Sequence, residues 1–499
     1  MELIANLQVG FAAVLTLDAI FYCLLGALLG TLIGVLPGIG PAATISLLLP
    51  FTFGIEPLPA LIMLSGIYYG SQYGGSTTAI LLNLPGESSS VVTALDGYKM
   101  ARQGKAGKAL ATAAIGSFVA GSIATVMIAA VASPMAELAL KFGAAEYFAL
   151  VVLGIVICIV MARGSLLKAF AMVVMGILLG TVGVDANSGA ERYMFGLSGL
   201  ADGISFVAAA MGLFGLTEII ANLSSRDSDQ RGTHKVGSLL LTRKDAREIT
   251  PPILRGTVIG SILGVLPGSG ALLASYLSYS FEKRIARHPE RFGEGAIEGV
   301  AAPEAANNAA AQTSFIPMLT LGIPSNAIMA MMVGAMLIQG VQPGPSMIAK
   351  QPELFWGLIA SMWIGNALLL VLNLPLVGLW ARIISVPYNM LYPSILVLCC
   401  VGVFAINNSE FDILLMCGFA LLGTLLMRSG CEPAPLLLGM ILGPMLETYF
   451  GRAMALSRGD LTVFLTRPVS AVLLAVAFGA VVLVLLPKLS TARDRTFVE

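Results

Sequence analysis

An all-α, polytopic membrane fold is predicted, built from two inverted repeats that each carry a re-entrant hairpin and a broken helix. Three observations point to it. Hydrophobic residues make up 57% of the 499 positions and charged residues 11%, whereas soluble domains are about 45–50% apolar and about 25% charged. A glycine-rich motif occurs twice. The Lys and Arg residues fall into a few clusters separated by long apolar stretches. This composition excludes a soluble enzyme, a disordered chain and a nucleic-acid binder, and lipid is the solvent it fits. Glycine, at 55 residues, is too abundant for a plain bundle of regular helices. It suits membrane helices that pack closely or break.

A spanning helix needs about 20 mostly apolar residues. Such stretches lie at 18–36, 60–82, 109–132, 144–161, 167–184, 199–222, 253–280, 309–340, 354–384, 391–407, 411–427, 432–450 and 468–488. Several are too long, or too interrupted by Gly and Pro, for one straight helix. On the order of a dozen crossings plus re-entrant segments is therefore expected. The chain divides into a first inverted repeat over 1–222, a cytoplasmic linker over 223–252, and a second inverted repeat over 253–499 that includes the C-terminal helices. One basic cluster holds Lys99, Arg102, Lys105 and Lys108, and a second runs from Arg226 to Arg255 through Arg231, Lys235, Arg243, Lys244 and Arg247. A third holds Lys283, Arg284, Arg287 and Arg291, and the tail carries Lys488, Arg493 and Arg495. The excess of Lys and Arg in cytoplasmic loops places all of them, and the C-terminus, inside. The N-terminus and residues 51–59, free of Lys and Arg, fall outside, so the number of crossings is odd. MELIANLQVGFAAVLTLDAIF lacks the basic start of a secretory signal and reads as mature sequence. The six cysteines (Cys23, Cys158, Cys399, Cys400, Cys417 and Cys431) lie mostly in apolar runs without metal-ligand spacing. They read as small buried hydrophobes.

Residues 26–40, GALLGTLIGVLPGIG, and 256–270, GTVIGSILGVLPGSG, agree at eight of fifteen positions. Both place glycine at every fourth residue: Gly26, Gly30, Gly34 and Gly38, then Gly256, Gly260, Gly264 and Gly268. That spacing lines one helix face, where another backbone can approach. The Pro-Gly step then ends the helix. Basic stretches flank the second copy on both sides, so it reads as a hairpin entering from the cytoplasm, with its tip at Pro267-Gly268-Ser269-Gly270. The first copy, flanked by segments free of Lys and Arg, enters from outside with its tip at Pro37-Gly38-Ile39-Gly40. Halves of opposite orientation are the architecture of many secondary transporters, whose sites lie near the midplane.

Each half contains a second interruption, at Pro85 within 73–90 and at Pro324 within 303–326. Hydroxyls and amides crowd around both inside apolar sequence. A break frees carbonyls, which with side-chain oxygens suit Na⁺. It also exposes helix N-termini, which suit carboxylates. Candidate substrate-binding residues are Gly38, Gly40, Ser76, Thr77, Asn83, Gly86, Ser88, Gly268, Gly270, Asn308, Thr313, Ser325 and Asn326. Candidate Na⁺ residues are Pro37, Thr78, Pro85, Pro267, Asn307, Thr320 and Pro324. The competing structural reading is that Ser and Thr back-bond to helix carbonyls and Asn joins helices. Among ionisable residues, Glu87 and Glu304 adjoin the breaks, Glu304 suggesting a helix cap after Pro303. Asp96, before Gly97-Tyr98, reads as a loop-closing residue. No Lys or Arg lies in these segments, so dipoles and hydroxyls would hold an anion. His234 and His288 fall in expected cytoplasmic loops, which favours Na⁺ over H⁺ coupling. Tyr68, Tyr69 and Tyr73 read first as interface anchors and second as lining.

The motifs GVLPGIGPAATISLLLPFTFG (34–54), YYGSQYGGSTTAILLNLPGESSSVVTALDGYKMARQGKAG (68–107), GVLPGSG (264–270) and APEAANNAA…IPMLTLGIPS (302–325) resemble the large membrane subunit of the tripartite tricarboxylate transporters, the TctA family. The chain departs from that pattern at Ser325, where glycine is expected, and at Lys99, where proline is frequent. The resemblance implies the translocating subunit of an importer in a bacterial inner membrane, partnered by a small membrane subunit and a periplasmic solute-binding protein. It implies a di- or tricarboxylate or related organic anion as substrate, driven by a cation gradient and not by ATP, and an elevator-like movement. With the residue reading above, Na⁺ is the expected coupling ion and no other cofactor is expected. No P-loop is present in the sequence. A stand-alone organic-anion symporter or channel is the alternative reading. An intramembrane enzyme would need a nucleophile with a positioned base. The substrate's identity and the oligomeric state are left open.

Overall fold

The computed structural model describes residues 2–36, 40–84, 86–162, 165–185, 189–224, 236–266, 270–383 and 388–485. Regular structure within them is helical apart from one short antiparallel pairing, Gly183–Val184 with Glu191–Arg192. Helix α1 (Glu2–Val14) precedes α2 (Leu17–Val35), where Thr16 caps the N-terminus by accepting the Ala19 N–H. Helix α3 (Pro41–Leu48) begins on a proline, whose missing N–H would be unused there, and tightens into a 3-10 turn ending at Gly54. Helix α4 (Pro57–Leu82) is followed by α5 (Val91–Arg102) and α6 (Ala106–Leu140). Then come α7 (Ala144–Met161), α8 (Leu166–Gly180), α9 (Phe206–Ala210), a π turn over Met211–Leu216, and α10 (Thr217–Ser224).

The second half opens with α11 (Arg243–Val265) and α12 (Gly270–Ile285). It continues with α13 (Glu298–Thr313), α14 (Phe315–Leu321), α15 (Ala327–Ile338) and α16 (Ser346–Lys350). Helices α17 (Pro352–Asn373), α18 (Val377–Ile383) and α19 (Tyr388–Asn407) follow. The last are α20 (Glu410–Arg428), α21 (Pro433–Leu456), α22 (Val463–Thr466) and α23 (Pro468–Leu485). Five of these, α2, α6, α17, α20 and α21, are long and apolar enough to cross a membrane. The chain is a multi-pass membrane protein.

Helix boundaries differ from the hydropathy reading in several places. The span expected over 253–280 starts at Arg243, inside the stretch read as linker, because Thr242 Oγ1 accepts the Asp245 N–H and starts a turn there. The span expected over 309–340 resolves into α13, α14 and α15, interrupted at Ser314 and Gly322. Residues 41–48 and 91–102, assigned no span, are helical.

Glycine decides how the helices meet. A Cβ on Gly26, Gly30 or Gly34 of α2 would collide with the carbonyl oxygens of Met63, Ile67 and Ser71 on α4. The second copy repeats the device: Gly256, Gly260 and Gly264 of α11 lie against the carbonyls of Ala302, Ala306 and Ala310 on α13. In each case the rungs are four residues apart on both partners, so one turn of one helix seats against one turn of the other. Helix α6, 35 residues and so about 52 Å long at 1.5 Å per residue, packs along α13 and also touches α4, α5, α11, α14 and α17.

Helices α11 and α12 return side by side, and Arg255 makes a two-pronged ion pair with Glu282, Nε to Oε1 at 2.6 Å and Nη2 to Oε2 at 2.7 Å. Ten residues separate Arg255 from the end of α11 at Val265, about 15 Å of helix, or half of a hydrocarbon core of about 30 Å. The three basic stretches within the described residues meet one another. Lys108 pairs with Asp245 at 2.8 Å, and Gln103 Nε2 donates to the Glu294 carbonyl at 2.8 Å. The Lys108 ammonium, with the Thr242 N–H, holds the Asp245 carboxyl down at about 2. Asp96 closes this region as expected: its Oδ1 accepts the N–H groups of Gly293, Gly295 and Ala296, and its Oδ2 the Tyr279 hydroxyl.

The ladders predict a graded response. Gly260→Val should destabilise the purified protein by about 1–3 kcal/mol through overpacking, seen as a lower midpoint in a thermal-unfolding scan. Gly479→Ala on α23, where a Cβ would meet nothing within 4 Å, should leave the midpoint unchanged or raise it.

Candidate functional site

Both breaks are built the same way. Helix α4 ends at Asn83, in the left-handed region with φ 59°, and α14 ends at Gly322 with φ 74°. Four residues after each, Glu87 (φ −147°, ψ 166°) and Asn326 (φ −154°, ψ 176°) are extended residues that start the next helical segment. Asn326 Oδ1 accepts the Met329 N–H at 2.9 Å, capping α15. In the first break, a 3-10 turn over Ser88–Ser90 runs into α5. Gly86 presses on the carbonyl of Gly34 and on Gly75, which leaves no room for a Cβ. Ser325, at the position where glycine was expected, is buried and donates to the Ser314 carbonyl at 3.2 Å.

A cavity of about 400 Å³ collects the motif segments from both halves. The first half supplies Gly40, Pro41 and Ala42 at the start of α3, Gly86 to Ser89 of the break, and Tyr68 and Gln72 of α4. The second supplies Gly270, Ala271 and Leu272 at the start of α12, and Asn326, Ala327 and Ile328 at the start of α15. Phe214, Glu218, Glu432 and Ala434 complete the wall, which includes no Lys, Arg or His among the described residues. Helical segments therefore open on this cavity at α3, Ser88–Ser90, α12 and α15. Helix N-termini present unpaired N–H groups and a partial positive charge. One is already occupied: the Gly40 N–H donates to Glu218 Oε1 at 2.8 Å. Gln72 Nε2 donates to Glu87 Oε2 at 2.8 Å, while the Ser89 hydroxyl lies between the other oxygen of Glu87 and Gln72 Oε1, 3.2 Å from the latter, and can donate to either. A larger cavity of about 940 Å³, between Thr16–Ala19, Glu56–Pro59 and Lys350–Leu354, holds none of the candidate residues.

Of the expected substrate residues, Gly40, Gly86, Ser88, Gly270 and Asn326 line this cavity. Ser76, Thr77 and Asn308 do not. Ser76 Oγ donates to Glu304 Oε2 at 2.6 Å, and Asn308 Nδ2 donates to Ser117 Oγ at 2.7 Å, in a second buried polar cluster. Thr77 and Ser76 border a small void beside that cluster. Asn83 is exposed and serves the backbone turn. Thr313 back-bonds to the Ala309 carbonyl at 3.0 Å.

Among the Na⁺ candidates, Thr78 Oγ1 donates to the Val35 carbonyl at 2.8 Å and so caps the end of α2. Thr320 back-bonds to Ile316 at 2.7 Å. Asn307 is buried with neither side-chain polar atom bonded, and Pro324 is buried in its break. Pro37, Gly38, Pro85, Pro267, Gly268 and also His234 lie outside the described residues. His288 is exposed beside Glu290, 3.0 Å away.

Three expectations need correction. Glu304 is not a helix cap: α13 begins at Glu298, and Glu304 sits in its interior, fully buried. Tyr68, Tyr69 and Tyr73 are buried rather than interfacial, because α4 is covered on every side by α2, α5, α6, α13 and α17. Cys417 is exposed on α20, unlike buried Cys23, Cys158 and Cys399. Residues missed by the sequence reading are Gln72, Glu218 and Glu432. Glu218, an acid within the apolar run MGLFGLTEII, carried a usable signal, since ionisable residues inside lipid are expensive. Gln72 carried none beyond its apolar neighbours.

Comparison with known proteins gives consistent matches. Residues 20–438 match the family described as the tripartite tricarboxylate transporter TctA family. A protein of Agrobacterium vitis, described as an uncharacterized 52.8 kDa protein in the TAR-I ttuC' 3' region, is 59% identical over 499 residues, covering 100% of this chain and 99% of its own length. Another from the same organism, described as an uncharacterized protein in the TAR-II ttuC' 3' region, is 58% identical over 240 residues, 48% of this chain and 99% of its own length. No solved structure matches the chain.

The turn at Asn83 makes its own prediction. Asn83→Gly should keep the thermal midpoint near wild type, since glycine adopts positive φ freely. Asn83→Val should lose about 1–2 kcal/mol, the cost of a Cβ in the left-handed region.

Proposed function

The chain belongs to the tripartite tricarboxylate transporter TctA family, a transporter family and not an enzyme family, and from that premise we propose how its cavity works. Membership makes it the large membrane subunit of a three-part transporter, with a small membrane subunit and a periplasmic binding protein as its partners. In our reading the 400 Å³ cavity is the substrate site, and the substrate is a di- or tricarboxylate or related organic anion. The hairpins and breaks of two inverted repeats move it across a bacterial inner membrane as one elevator-like unit, with the N-terminus periplasmic and the C-terminus cytoplasmic.

One observation carries this reading: a carboxylate, that of Glu218, already rests on the backbone N–H of Gly40 at the mouth of α3, 2.8 Å away. The other helix starts around the same cavity offer seats of the same chemistry to a second or third carboxyl group. Specificity for carboxylate without a basic side chain follows from dipoles and N–H groups alone.

The same wall supports coupling to a cation. Glu87, Glu218 and Glu432 border the cavity. An anionic substrate entering between carboxylates in a low-dielectric space would meet uncompensated repulsion. A cation taken up with the substrate removes that cost, and Na⁺ suits the oxygen-rich lining. Substrate and cation then bind together or not at all, which is the requirement for symport.

The test is uptake of a labelled carboxylate into proteoliposomes holding this chain, the small membrane subunit and the binding protein. Accumulation should require an inward Na⁺ gradient and the binding protein, and should proceed without ATP. Flux that equilibrates without accumulating, or that ignores the binding protein, would indicate a channel or a stand-alone carrier. Within this assay Gln72→Leu, which removes the amide that donates to Glu87 and faces Ser89, should cut uptake at limiting substrate by about tenfold or more. Gln339→Leu, remote from the cavity, should stay near wild type.

A further inference from the structure

A second buried polar cluster lies one turn along α4 from the cavity, since Ser76 follows Gln72 by four residues. Glu304 is fully buried in the middle of α13. Its Oε2 receives the Ser76 hydroxyl of α4 at 2.6 Å and the Ser117 hydroxyl of α6 at 3.5 Å, and its Oε1 receives the Thr93 hydroxyl of α5. No ion pair to Glu304 is formed among the described residues. Asn308, one turn on, holds Ser117 from behind with an Nδ2–Oγ hydrogen bond of 2.7 Å.

A void of about 10 Å³ adjoins the cluster, bordered by Ser76, Ser117, Thr77, Tyr73 and Asn373. That volume is close to the space one water or one small ion occupies. Two groups on its wall are buried and bonded to nothing: the Tyr73 hydroxyl and the Asn373 Oδ1. Buried polar atoms without partners are uncommon in folded proteins. Both belong to residues that border the same void. Every uncommitted atom is an oxygen, and the nearest formal charge is negative.

A carboxylate buried without a cationic side chain keeps its charge only if a cation is supplied. Hydroxyl donors soften the penalty but do not neutralise it. We propose that Glu304, with Ser76, Thr93, Ser117, Tyr73 and Asn373, forms a binding site for a small hard monovalent cation, Na⁺ or a proton, distinct from the substrate cavity. The site is built from helices of both halves and is sealed when α4, α5, α6 and α13 are packed together. This deepens the coupling proposed above and rests on it for its role in transport, but not for binding itself.

Binding is measured on the purified full chain without substrate or partners. The thermal midpoint is followed as NaCl replaces choline chloride at constant ionic strength, over pH 5.5 to 8.5. Wild type should be stabilised by Na⁺ at high pH, or by protons in its absence. The first pattern identifies the occupant as Na⁺. A response to pH alone identifies it as the proton. Glu304→Gln keeps the hydrogen-bonding shape and removes the charge. It should fold with a cation-free midpoint at or above wild type, and should lose the response to both cations. Ser117→Ala should weaken the apparent affinity about tenfold. A Glu304→Gln protein that retains the wild-type Na⁺ and pH response overturns the site. Uptake by the reconstituted complex separates the two readings. Wild-type transport that ignores both gradients overturns the proposed coupling, whereas a lost cation response in Glu304→Gln sustains the site in either case.

Discussion

Every peptide group that leaves a helix within a bilayer must be covered, because an unsatisfied N–H or C=O in hydrocarbon costs several kcal/mol. This chain breaks helices on purpose around one cavity, so its architecture follows from what covers them. The cover is close backbone contact. The Gly34 carbonyl at the end of α2 lies against Gly86 of the first break, and the Val35 carbonyl accepts the Thr78 hydroxyl. Such approach is open only to helices stripped of side chains along one face, which is what the ladders on α2 and α11 provide. Packing and site geometry are thus one problem with one solution, used twice.

The parts of this arrangement that were legible in the sequence are those where backbone chemistry forces the residue type. Glycine at every fourth position could mean little else than a close helix contact, and the carbonyls of Met63, Ile67, Ser71, Ala302, Ala306 and Ala310 are what it contacts. The Pro breaks likewise announced helix ends, and Asn83 and Gly322 supply the left-handed turn that each end requires. Which side chains face the cavity was much less legible. Ser76 and Ser88 are both serines beside the same break, yet one faces Glu304 and the other the cavity. Ser76 lies inside α4 and Ser88 in the turn after the break, so the packing of two different segments decides between them, and the neighbours that set it are far away in sequence. Glu218 illustrates the same limit, since its partner Gly40 lies 178 residues away.

Charge gives the molecule its direction of use. Basic side chains gather where α5, α6, α11 and α12 meet outside the apolar body, and acidic ones enter the cavity and the Glu304 cluster. In the proposed reading, an anion site lined with Glu87, Glu218 and Glu432 is reconciled by the cation that enters with the substrate. Fixed positive side chains would hold a carboxylate tightly in every state and slow its release. Helix dipoles and a mobile cation can be withdrawn, so the affinity falls when the cation leaves. A carrier has to let go of its substrate, and in the proposed reading release depends on the cation taken up with it.

Helix α4 links the proposed substrate cavity to the proposed cation site. Gln72 reaches Glu87 at the cavity, and Ser76 reaches Glu304, one helical turn away or about 6 Å along the axis. The two are joined directly, since Ser76 Oγ also contacts the Gln72 carbonyl at 2.9 Å. A hydroxyl has one proton to give, so Ser76 can serve Glu304 or the carbonyl fully, but not both. Neutralising Glu304 releases that proton to the backbone and changes the set of acceptors around the turn that carries Gln72. The shift is small, but it acts on a rigid helix packed through glycine against α2, where side-chain adjustment cannot absorb it. Two discrete hydrogen-bond arrangements of one turn are the kind of bistable element that both a substrate and a cation can bias.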